Sequence, residues 1–168
     1  MRPFSAVFPK GLPGWKNVAQ QPEPFLKLDL VSEKWLATSL EVLLENEALG
    51  QQQGNSVCHF DLRSDNICFG KEGVKIINWN FACIGNADLD LGFMLPSLRL
   101  EGGPLPETVR PHAGPISAVV SGFFAALAGL PADDDSKKRV RNIQKAQLSE
   151  ALPWAVRTLG LSKVGLSI

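Results

Sequence analysis

The run His59-Phe60-Asp61-Leu62-Arg63-Ser64-Asp65-Asn66 decides how this sequence is read. A β-prone stretch, Ser56-Val57-Cys58, leads into it. Two more β-prone runs follow, at residues 66–69 and 74–78, and they flank Gly70-Lys71-Glu72-Gly73. A loop with glycine at each end between two such runs predicts a short hairpin. The polar octet therefore sits between a strand and a hairpin, which is where loops carry chemistry on a rigid frame.

Outward from this centre the pattern is helical. Ser32 can cap a helix through about Leu49, with Leu36, Leu40, Leu43 and Leu44 on one face, and Gly50 stops it. Residues 1–30 are rich in Pro, Gly and Gln and read as an irregular connector with about one helical turn. Downstream, residues 89–98 are apolar and predict a helix despite Pro96, and EGGPLPE at 101–107 is a loop. Residues 116–130 are apolar on nearly every side, the mark of a core helix. Pro131 ends that run, and Asp133-Asp134-Asp135 supply the cap of a last helix reaching about Leu159. Val140, Ile143, Leu148, Leu152 and Ala155 form its inward face, with a bend expected at Pro153. The fold class is mainly α with a small β-hairpin, divided into a connector (1–30) and a helical unit (31–168).

Composition narrows the function classes. Of 168 residues, 45% are hydrophobic and 20% charged, which is ordinary for a globular domain. Seventeen basic and seventeen acidic residues cancel, so no net field draws the chain to nucleic acid or an anionic membrane. The first residues, MRPFSAVFPKGLPGWK, lack an apolar signal core, and no apolar run is long enough to span a bilayer. Cys58, Cys68 and Cys83 are odd in number and lack CxxC spacing, so they read as reduced buried thiols of a cytoplasmic protein. The basic run Lys137–Lys145 reads as a solvated helix face, and Trp35, Trp79 and Trp154 as core, with Trp15 anchoring the connector.

Three elements in order carry a resemblance: HxDxxxxN at 59–66, Val74-Lys-Ile-Ile-Asn78-Trp79, and Asp90-Leu91 after Gly85. Together they resemble the aminoglycoside phosphotransferase and choline kinase group, over about residues 57–95 and more loosely around Lys145-Ala146-Gln147. The resemblance implies a protein-kinase-like C-terminal (large) lobe that moves the γ-phosphoryl group of ATP, or another nucleoside triphosphate, onto a small-molecule hydroxyl. It implies that Asp61 orients or deprotonates that hydroxyl. Asn66 would hold Mg2+, and Asn78 stands where the family's second metal-binding Asp belongs. His59 and Asp90 would brace the loop, Asp90 through backbone N–H groups, and Arg63 would meet phosphate or a neighbouring carboxylate.

Two departures bear on activity. Asn78 offers a neutral oxygen where Asp would offer charge, and hard cations prefer anionic oxygen. The phosphate-covering loop and strand lysine of this fold have no counterpart before Asp61. Lys10-Gly11-Leu12-Pro13-Gly14 makes no phosphate cradle, because Pro13 removes a donor. The expectation is a C-terminal lobe without its ATP-binding lobe, completed by a partner chain or a homodimer. The alternative is a catalytically inactive pseudokinase-type binding or scaffold module. Asp88, Glu101 and Glu107 are candidates to receive a cationic acceptor.

Overall fold

Helix α7 (Gly114–Ala128) explains the architecture, because a helix apolar all round must be enclosed by others. The computed structural model describes residues 1–50 and 52–167. In chain order the helices before the site are α1 (Phe4–Val7), α2 (Trp15–Gln20), α3 (Glu23–Leu26) and α4 (Glu33–Leu49). After it come α5 (Ala87–Leu100), α6 (Pro106–Val109), α7 and α8 (Asp135–Thr158). Helices α2, α3, α4, α5 and α8 all pack on α7. The chain is thus mainly helical, with small antiparallel sheets to one side.

The predicted helix ends hold. Ser32 Oγ accepts the Trp35 N–H at 3.1 Å to cap α4, and Gly50 closes it. Asp134 caps α8 by accepting the Lys137 N–H at 2.7 Å. Pro96 and Pro153 lie inside α5 and α8 without ending either.

Residues 1–30 differ from the irregular connector expected. They form three short helices, and Trp15, Val18 and Phe25 are buried in the same core as α7. Trp15 Nε1–H donates to the Ala118 carbonyl at 3.1 Å and to Ser121 Oγ at 3.2 Å, and its ring meets Phe25 edge-on at 5.4 Å. Gly122 makes this possible: a Cβ there would lie 2.7 Å from Trp15 Cδ1. Long-range burial, not local propensity, orders the segment.

The strands are β1 (Ser56–Cys58), β2 (Ile67–Gly70), β3 (Gly73–Ile76) and β4 (Cys83–Gly85). The hairpin β2–β3 pairs antiparallel around Lys71-Glu72. A second antiparallel pair, β1–β4, sets Ser56 opposite Gly85 and Cys58 opposite Cys83. Cys58 and Cys83 are buried free thiols; Cys68 is exposed on β2, against expectation, because the hairpin is open on both faces: Cys68 pairs with exposed Lys75 on one and Phe69 with exposed Val74 on the other. Among the described residues no helix is long and apolar enough to cross a membrane.

Candidate active site

The β1–β4 pair pins both ends of one excursion, residues 59–82, and the sequence octet occupies its first third. Asp90, in the first turn of α5, reaches back to it. Its Oδ2 accepts the His59 N–H and its Oδ1 the Phe60 N–H, both at 2.7 Å. The carboxylate is 8% exposed, so it is satisfied by this pair of backbone donors rather than by solvent. Asn86 caps α5 by accepting the Asp88 N–H, which fixes the turn that aims Asp90.

His59 is buried and spans the excursion. Its Nδ1 accepts the Asp61 N–H at 3.2 Å and its Nε2–H donates to the Ile77 carbonyl at 2.8 Å. That pairing requires the neutral ring with the proton on Nε2. Trp79 meets the imidazole edge-on at 4.8 Å and donates from Nε1 to the Ile76 carbonyl. Trp79 is not a core residue, as sequence suggested, but remains 46% exposed as a cover over His59.

Asp61 is held from two sides. Asn66 Nδ2 donates to its carbonyl at 2.7 Å and to Oδ2 at 3.1 Å, while Arg63 Nε stands 3.4 Å from Oδ1. The Arg63 contact is an ion pair without hydrogen-bond alignment, since Nε is buried and otherwise unpartnered. Arg63 Nη2 donates to Asp65 at 3.1 Å. Asn66 is buried, and its Oδ1 lies 3.4 Å from Asn78 Nδ2. Asn78 has φ 65°, a left-handed conformation that Asn and Asp adopt with little cost.

The resemblance noted in the sequence implies a divalent metal carried with the nucleotide, so the fit of such an ion to these residues matters. Asn66 and Asn78 meet through an N–H and an oxygen at 3.4 Å, and the only oxygen either side chain could offer a cation is neutral. Among the described residues no group of three His, Cys, Asp or Glu stands ready for a metal. As they stand, Asn78 turns its N–H toward Asn66 Oδ1 and its own Oδ1 accepts from Asn80 Nδ2 at 2.5 Å, so a Mg2+ held here would require the Asn78 amide to turn over.

Beside Asp61 opens a cavity of about 340 Å3 that the sequence did not reveal. Phe8, Phe60, Phe81, Phe93, Phe123 and Phe124 line it, with Val140, Ile143, Gln144 and Gln147 of α8. Val140 and Ile143, expected to face the core, face this cavity and stay 45% and 38% exposed. The phenylalanines are scattered along the chain; the one local signal was Phe123-Phe124 across from Gln144 and Gln147 on a neighbouring helix. Asp88, Glu101 and Glu107 line none of it. Asp88 pairs with Arg110, Glu107 with Arg157, and Glu101 accepts from Ser64.

A larger hollow of about 1060 Å3 lies between α2 and the end of α4. Its carboxylate, Glu47, accepts the Trp15 N–H at 2.7 Å and the Lys16 N–H at 3.3 Å. Burial pushes that carboxyl up from its ordinary value against these two donors. Glu47 thus serves the start of α2, and none of the motif residues reaches this hollow, so size does not identify the reactive site here.

Comparison with known proteins covers the motif loop but does not discriminate between the two cavities, since the matched span contains residues that line each. No curated protein and no solved structure matches the chain. The family model described as the phosphotransferase enzyme family matches residues 6–112, a span that contains the octet, both facing amides and Asp90. Matched over more than half its length and across the whole braced loop, the chain belongs to the phosphotransferase enzyme family.

Proposed function

We propose that this chain carries the acceptor side of a nucleotide-dependent phosphoryl transfer to a hydroxyl of a small molecule, in a kinase-like large lobe. The observation that carries the reading is Asp61, fixed by Asn66 and Arg63 at the edge of a cavity able to hold an acceptor. The acceptor hydroxyl donates to the Asp61 carboxylate, which points its oxygen lone pair away from the cavity wall. As the oxygen attacks phosphorus in line, its proton passes to Asp61 and the bond to the departing nucleoside diphosphate breaks. Positioning supplies most of the rate in such a step, so the bracing of the loop by His59 and Asp90 matters as much as the base. Asn66 and Asn78 would hold Mg2+, which when bound neutralises charge on the phosphates.

A second reading, a binding module without turnover, is favoured by one contact. Asn78 Nδ2 is directed at Asn66 Oδ1, so an N–H occupies the place of a ligand oxygen.

The deciding experiment is calorimetric binding of Mg-ATP, followed by transfer of labelled γ-phosphate to a panel of alcohols. Asp61→Asn is expected to lower transfer by about 10²–10⁴-fold with an unchanged melting curve. Absence of nucleotide binding in both the wild type and Asn78→Asp would leave the binding-module reading standing.

A further inference from the structure

Resting on the phosphotransferase reading, we propose that the acceptor is a neutral, largely apolar alcohol bearing one further uncharged polar group, and that Gln147 reads that group. The cavity beside Asp61 takes six of the chain's nine phenylalanines. At about 340 Å3 it lies near the lower end of the ~300–1,000 Å3 usual for ligand sites, room for one or two rings. Among the described residues its charged lining groups are Asp61 and Arg63, and these already face one another at 3.4 Å.

A polycationic or many-hydroxyled acceptor would set its polar groups against hydrocarbon that cannot replace water's hydrogen bonds. A single cation could be drawn to aromatic faces. Here, however, Phe93, Phe123 and Phe124 already meet one another edge to face, at 5.1–6.0 Å between centroids and 80–82° between planes. The carboxylates that might have balanced a cation, Asp88 and Glu107, are paired with arginines elsewhere.

Among the described residues, the uncharged polar side chains of the wall are two amides, on successive turns of α8. Gln144 Oε1 accepts from Arg141 Nη1 at 2.7 Å. Gln147 is 6% exposed, lines the cavity, and its amide makes no hydrogen bond among the described residues. Gln147 is largely enclosed as a residue, and with no protein group on its amide the side chain is open to a partner in the cavity. With one donor and one acceptor, an amide complements a carboxamide, ketone or hydroxyl better than an ammonium, which can only donate. A reactive hydroxyl at Asp61 and a second polar group at Gln147, joined by hydrocarbon among phenylalanines, would match the placement of these side chains around the cavity.

The test measures binding without nucleotide, by calorimetry, so that it does not depend on turnover. The probes are 3-phenylpropanol, its para-carboxamide, choline and a polyamino sugar. The aryl alcohols are expected to bind ahead of the two cationic probes. The carboxamide should bind about tenfold tighter than its parent, and Gln147→Leu should remove that difference. Tighter binding of choline or the amino sugar, no binding of either aryl alcohol, or a carboxamide advantage that survives Gln147→Leu would each overturn the proposal. Labelled-phosphate transfer separates the two claims. Transfer to a cationic probe alone keeps the phosphotransferase reading and overturns this one. Aryl-alcohol binding with the Gln147 effect but no transfer to any alcohol supports this cavity preference and sinks the phosphotransferase reading.

Discussion

Asp90 Oδ1 lies 2.7 Å from the backbone nitrogen of Phe60, a bulky residue held at φ 59°. Left-handed backbone at such a residue costs on the order of 1–2 kcal/mol and needs a compensating contact. The aromatic ring gains its place in return, packing on Phe4 and Phe8 at 5.5 Å. Asp90→Asn can accept from only one of the two loop amides and turns an N–H toward the other. It is expected to destabilise the protein by about 1–3 kcal/mol, read by urea denaturation. Transfer activity should fall further than the loss of folded protein explains, because the strained loop relaxes.

Asn78→Asp is expected to strengthen Mg2+-dependent nucleotide binding. The left-handed backbone at this position accepts Asp as it accepts Asn, so the change carries no conformational cost. It removes the N–H aimed at Asn66 Oδ1 and adds a negative charge where two neutral amides stand. Affinity for Mg-ATP should rise on the order of tenfold. Calorimetry across a magnesium series checks this, and an unchanged affinity would place the metal elsewhere.

The three thiols should separate in reactivity. Cys68 is exposed and should react at once with an aromatic disulfide reagent, while Cys58 and Cys83 should react only when the β1–β4 pair opens. Burial, reinforced by Asp90 and Cys83, pushes the Cys58 thiol from 9.0 up to about 11, and burial raises Cys83 as well. The folded state therefore keeps protons that the unfolded chain gives up. Their contribution to stability is intact below pH 9.0 and declines as pH rises toward about 11. Denaturation midpoints of the wild type and Cys58→Ala across this window should converge.

Gly122→Ala should loosen α2 from α7. Its new methyl would lie 2.5 Å from Glu47 Oε1 and 2.9 Å from the Trp15 backbone nitrogen. The carboxylate can move but the backbone cannot without shifting the buried indole. A loss of about 1–3 kcal/mol is expected, with a red shift of tryptophan emission as the check.

Much of the frame was legible because its signals are local. Ser32, Gly50 and Asp134 act on the turn beside them, and the glycine-bounded loop sets its own hairpin. What sequence reading missed depends on partners far along the chain. Trp15 is ordered by Ala118 and Ser121, which no window around residue 15 contains. Val140 and Ile143 have the right periodicity for an inward face, but periodicity cannot say whether that face meets a core or a cavity. The octet was readable because spacing fixes it, whereas the phenylalanine cavity draws on five separate segments. Trp79 looked like core because hydrophobicity does not record that its neighbour is a histidine ring.

The three-residue pairing of β1 with β4 gates more than its size suggests. The segment from His59 to Ala82 runs between Cys58 and Cys83, and β4's far side meets the N-terminal segment through a Pro3–Ile84 bridge, with the Ile84 N–H donating to the Arg2 carbonyl at 2.8 Å. Such a short clasp opens at lower free energy than the helical core, so the excursion behaves as a single sub-global unfolding unit. Amide exchange in this protein should therefore divide in two. Helices α7 and α8 would exchange with global unfolding. The hairpin and the amides held by Asp90 would exchange together and earlier, making the loop at 59–66 the first part of the molecule to become vulnerable to proteolysis.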